Sequence, residues 1–169
     1  MWGRLLLALA LSVPLAGCSP DYNWRTVSLA GGEVSSILPD KPIAKSRTLD
    51  FAGHNVTLTF LLAEVNGTLF AVGVAPLPDA LRADAPLRTE MGRQVIESFY
   101  HGLKLPVPKV LPGFGKPFAL KGPDTNKQTE LHAAVWVTPQ ALVEAMVTAD
   151  AARFPAQEAT RFLDSTKVR

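Results

Sequence analysis

The chain offers few groups capable of chemistry. Among its 169 residues are three histidines and one cysteine. His54 follows a glycine, His101 closes an apolar helical stripe, and His132 sits in an apolar run. None has a second ligand at metal spacing, and no His-Glu-x-x-His occurs, so no metal site is expected. A histidine at a helix end commonly meets the helix dipole instead. No Gly-x-Ser-x-Gly elbow is present. Ser35, Ser36 and Ser165 lack a neighbouring base, although a triad assembled across the fold stays open. Gly113-Phe114-Gly115-Lys116 has the glycines of a phosphate loop but no Lys-Ser/Thr ending, and Pro117 stands where a helix should begin. It reads as a surface bend. The expectation is a protein without a catalytic constellation: not an enzyme, and with no dissociable cofactor.

The single cysteine has a different chemistry. Arg4 and the amino terminus form a positive n-region, and Leu5 to Ala16 is a mainly apolar run of 12 residues. A membrane-spanning helix needs about 20, so this run is too short to span. It matches a secretory signal followed by small residues. The tetrad Leu15-Ala16-Gly17-Cys18 resembles the lipobox of bacterial lipoproteins. The resemblance implies cleavage before Cys18, a diacylglycerol thioether on its sulfur and an acyl chain such as palmitate on the new amino group. Two or more chains anchor stably where one does not. The competing reading is an ordinary signal peptide with an unmodified cysteine, or a buried N-terminal helix. Residue 19 is Ser and Asp first appears at Asp21, which favours the outer membrane, facing the periplasm. The expected organisation is a signal peptide over 1–17, a lipidated tether over 18–23 and one domain over 24–169.

One further stretch has a binding character. Between 104 and 123 lie five of the 14 prolines and no acidic residue. Lys104, Lys109, Lys116, Lys121 and Lys127 are interleaved with Phe114 and Phe118. Long loops on rigid scaffolds often carry binding. Lys109, Phe114, Lys116, Phe118 and Lys121 are therefore a candidate contact surface for an acidic partner or anionic lipid. The plainer reading is a solvated connector with both phenylalanines in the core. Trp24 and Tyr22 suit either a bilayer interface or the start of a buried first strand, and Trp136 suits inter-layer packing.

The elements that would position these groups are legible in outline. Strands are expected over Glu33–Leu38 and Ala44–Phe51. Asn55–Val65 alternates, with Val56, Leu58, Phe60 and Leu62 on one face. Asn66-Gly67 supplies the positive φ of a two-residue hairpin turn into Thr68–Val74. A helix follows from about Pro86 to His101, with Leu87, Met91, Val95 and Phe99 on one stripe and Gly102 as its stop. Phe118–Lys121 is a short strand in an otherwise irregular stretch. Gln128–Val137 is a strand, Ala141–Thr148 is read as a strand despite helix-favouring residues, and Pro155–Ser165 closes as a helix. Most links are too short for parallel crossovers. The fold class is α+β, a mainly antiparallel sheet with helices packed on its faces.

The segment SSILPDKPIAKSRTLDFAGHNVTLTFLLAEVNGTLFAVGVAPLP (35–78) and the ending Glu158-Ala-Thr-Arg161-Phe162-Leu163-Asp164-Ser165 resemble PsbP-like domains. The resemblance implies an α/β/α sandwich on an antiparallel sheet and a non-enzymatic role, and it carries over no functional residue. The net charge of +2 is too small to neutralise a phosphate track, which argues against nucleic acid. Removing 1–17 takes away Arg4 alone among the charged residues, leaving +1. The expected function is a lipid-anchored, periplasm-facing module of the bacterial cell envelope that binds another envelope component. The alternative is a carrier of a small ligand or lipid, with a pocket between the sheet and helix 86–101.

Overall fold

A computed structural model describes residues 21–124 and 127–169. The expected signal peptide, Cys18 and the first part of the tether lie outside the described residues. The architecture is α+β, with two antiparallel sheets and three α-helices. The larger sheet has six strands: β3 (Ile43–Phe51), β4 (His54–Val65), β5 (Thr68–Pro76), β6 (Phe118–Lys121), β7 (Thr129–Val137) and β8 (Ala141–Asp150), in the order β3-β4-β5-β8-β7-β6. The smaller sheet joins β1 (Arg25–Leu29), β2 (Val34–Leu38) and β9 (Lys167–Val168). Every strand pair is antiparallel.

The hairpin between β4 and β5 turns at Asn66 and Gly67, whose φ angles are 52° and 75°. Both central residues of a type I′ turn need positive φ, which this pair tolerates at little cost. The β7–β8 turn is closed by Thr138, whose Oγ1 accepts from the amides of Gln140 and Ala141 at 3.2 and 3.0 Å. β8 is a strand although Ala, Leu, Met and Glu favour helix. It is paired on both edges, with β5 and β7, and its first five residues are buried. Tertiary pairing overrides so weak a local preference.

Helix α2 (Ala85–Gly102) starts where Asp84 accepts from the Leu87 amide at 2.9 Å, with Pro86 in the first turn. Its stripe lies on one face of the large sheet. Leu87 and Met91 pack with Val56, Leu58 and Leu142, while Ile96, Phe99 and Leu103 pack with Leu120, Leu131 and Val135. The helix therefore runs diagonally, from above β4 at its start to above β6 and β7 at its end. The other face of the sheet is covered by the small sheet and α3 (Ala156–Ser165), around Phe70, Val72, Val143, Val147 and Phe162. Phe70 and Phe162 meet edge to face at 5.6 Å.

Several details depart from expectation. Gly102 is the last helical residue and not the stop. The reversal falls at Lys104, with φ of 57°. α1 (Asp79–Ala83) follows Pro78 where only a break was expected, and it buries Leu81 against α2's first turns. β9 has no counterpart in the sequence reading, being two residues paired only with β2, while the short β1 answers the alternative in which a first strand starts at Trp24. Trp24 directly precedes β1, stacks on Tyr22 at 5.7 Å and meets Phe70 edge-on at 5.9 Å.

Candidate functional site

The diagonal course of α2 leaves one corner of its sheet face uncovered. The strand register places Lys45, Phe60, Gly73, Glu144 and Val135 opposite one another across five strands. The next row holds Ile43, Leu62, Ala71, Met146 and Ala133. On one side α2 presents Ser98 and Phe99. The result is a cleft of about 430 Å³ lined by Lys45, Arg47, Phe60, Leu69, Glu144 and Met146 among others. Small-molecule sites commonly span about 300–1,000 Å³.

The depth of the cleft depends on β5. Ala71 and Gly73 stand on the central strand beneath it, and neither fills the space that a larger side chain would take. A Cβ at Gly73 would lie 2.6 Å from the Phe60 ring, so the ring leans across Gly73 toward Glu144. The Arg47 guanidinium lies 5.9 Å from the centre of the same ring.

Glu144 is the unusual group. It is 5 % exposed, in the middle of an apolar strand. Burial pushes its carboxyl from 4.5 up to about 7, and the nearby positive charge of Arg47 opposes that rise only in part. Glu130, the other buried acid, has partners: His132 Nε2 at 2.8 Å and Lys121 Nζ at 3.1 Å. Glu144 makes no hydrogen bond or ion pair among the described residues, and no buried side-chain atom is left fully enclosed without a partner. Its oxygens therefore open into the cleft. A carboxyl that is half protonated near neutrality can accept a hydrogen bond or donate one.

The residues singled out from sequence fall elsewhere. Phe118 and Lys121 belong to β6. Phe118 packs on Phe99 at 6.0 Å, and Lys121 pairs with Glu130. Phe114 lies over Gly92 of α2, within van der Waals reach of where a Cβ would stand. Lys109 and Lys116 are exposed, and Val110 between them is 84 % exposed. His54 opens β4, His101 lies in the last turn of α2 and His132 is on β7. Among the described residues no group of three His, Cys, Asp or Glu is placed to hold a metal ion. Ser36 and Ser165 do meet, at 3.3 Å, but as part of a hydroxyl cluster with Thr166 that joins α3 to β2. Trp136 packs partly buried against the core under α3. Sequence reasoning missed Lys45, Arg47 and Glu144. Their signals were present: a lone acid inside Ala141-Leu-Val-Glu-Ala-Met-Val, and two cations at alternate positions of a strand.

Fold and site together define an α+β domain with an open, half-apolar cleft between its sheet and its longest helix. Comparison with protein-family models, with curated proteins and with solved structures finds no match.

Proposed function

We propose that the chain is a non-enzymatic binding module, held at the cell envelope by lipid on Cys18, and that it takes a small ligand in the cleft between the sheet and α2. The observation that carries this reading is Glu144: a carboxyl buried in the sheet, without a partner among the described residues, that lines that cleft. Burying an acid without a partner is costly, and such groups concentrate at sites of function. The cleft also lies where a carrier's pocket was expected, between sheet and helix. Helices on both faces of an antiparallel sheet support the kinship with PsbP-like sandwiches. The lipobox-like tetrad Leu15–Cys18 supports the anchor, and a Ser at position 19 supports an outer-membrane, periplasm-facing location.

The test uses the full chain carrying Cys18→Ser and the neutral, polarity-sensitive dye Nile red. Saturable one-to-one binding is expected, and Ser98→Trp, an exposed change on the wall of the cleft, should abolish it. Absence of saturable binding, or binding indifferent to Ser98→Trp, would remove the cleft from the proposal.

A second reading assigns an envelope protein partner to the 104–127 segment. Val110, exposed and flanked by Lys109 with Phe114 and Lys116 nearby, favours it. Recovery of a partner from envelope extract should fall when Lys109→Glu and Lys116→Glu are combined. Unchanged recovery would set this segment aside.

A further inference from the structure

The lining of the cleft is segregated along the strand direction. Lys45 and Glu144 share one row of the sheet with Phe60 between them, and Arg47 stands one row further on, toward the start of β8. In the opposite direction come Leu62 and Met146, and beyond them Leu69, with Phe99 as the side wall. One end is therefore polar and the other apolar. The polar end holds two cations and one carboxyl. Both cations are on the outer strand β3 and are exposed, so their heads can swing onto a ligand without losing an existing ion pair among the described residues. Glu144 faces them from β8. Among the described residues no other charged side chain lines the cleft: β5 contributes Leu69 and α2 contributes Ser98 and Phe99.

We propose that the ligand is a single-chain amphipathic anion, its acidic head set between Lys45, Arg47 and Glu144 and its apolar chain laid along Leu62, Leu69, Met146 and Phe99. This rests on the reading of the cleft as the binding site. An anionic head gains charge-assisted hydrogen bonds from both cations. The Glu144 carboxyl in its protonated form donates its O–H to the same head, so a buried acid that has no partner among the described residues acquires one from the ligand. At about 430 Å³ the cleft lies near the small end of ligand sites, which suits one chain. A free fatty acid and a monoalkyl phosphate share this chemistry.

The experiment is competition against Nile red on the full chain carrying Cys18→Ser, with four probes of equal chain length: dodecanoate, dodecyl phosphate, dodecanol and dodecyltrimethylammonium. At least one anion is expected to displace the dye about tenfold more effectively than dodecanol or the cation, the margin of one charge-assisted contact. Whichever anion binds more tightly identifies the carboxylate or the phosphate source. Combining Lys45→Gln with Arg47→Gln should lower anion affinity, relative to that for Nile red, by about tenfold or more. Both positions are exposed on an edge strand, so the fold is retained. Equal displacement by cation and anion would overturn the proposal, as would an anion preference that survives the double substitution. If the unsubstituted cleft binds no Nile red, it is the binding reading itself that fails.

Discussion

Replacing Glu144 by Gln should remove one pH-dependent part of the domain's stability. In the folded chain the carboxyl titrates near 7, against 4.5 when free of its surroundings. Between those two values the folded state holds a proton that the unfolded state has released. Stability must therefore fall as pH rises from about 4.5 to about 7, and stay low above that. A difference of about 2.5 pKa units sets a ceiling of ~3.4 kcal/mol. Gln keeps the shape and cannot ionise. Urea unfolding of both proteins, measured in steps from pH 5 to pH 8.5, should give curves that nearly coincide at the acid end. By pH 8 the variant should be the more stable by ~2–3 kcal/mol, or roughly 4–12 °C in Tm for a domain of this size. Taking the difference between the two cancels every other titrating group. A gap that stays under about 0.5 kcal/mol at all pH values, the scatter of a neutral surface change, would refute the claim that burial dominates this carboxyl.

Other substitutions probe the scaffold. Phe162→Ala removes a fully buried ring at the centre of the layer that joins α3 to the large sheet, and should cost about 3–5 kcal/mol by chemical denaturation. Gly92→Ala gains helix propensity of about 1 kcal/mol but drives a methyl into Val137 and the Phe114 ring. The net should be destabilising, with Phe114 freed from α2 and faster proteolysis between 104 and 118 as the readout. Thr166→Val takes from the buried Ser36 hydroxyl its 2.9 Å partner and leaves it Ser165 at 3.3 Å, and should cost ~0.5–1.5 kcal/mol, despite adding apolar volume. A Tm equal to that of the starting protein would show that the hydroxyl cluster is dispensable.

The hairpin at Asn66-Gly67 could be read because its turn chemistry is local: two residues, both tolerant of positive φ, between alternating strands. β8 required an argument from neighbours, since its own residues favour helix and only pairing on two edges makes it a strand. α1 was hidden because five residues carry no periodic stripe, and its one buried side chain, Leu81, needs α2 to be buried against. The cleft was still less accessible. Lys45, Arg47 and Glu144 share a face because β8, and not β6, follows β5 in the order β3-β4-β5-β8-β7-β6. Nothing in the spacing of 45, 47 and 144 announces that they share a face. The lysines that stood out, being close in sequence, are divided by the structure between a β-strand ion pair and an exposed connector.

The small sheet has a consequence for the order of events during synthesis. β2 takes β1 on one edge and β9 on the other, and the Ser36–Thr166 contact joins residues 130 positions apart. A ribosome delivers β2 well before β9, so this layer is completed only once Lys167 and Val168 have emerged. Until then the apolar side of β5 and β8 that it covers stays wet, and loop closure over so long a span is slow. Whatever machinery handles the segment ahead of β1 during synthesis therefore meets an unfinished body, and loss of Lys167 and Val168 would leave β2 with a bare edge for the lifetime of the protein.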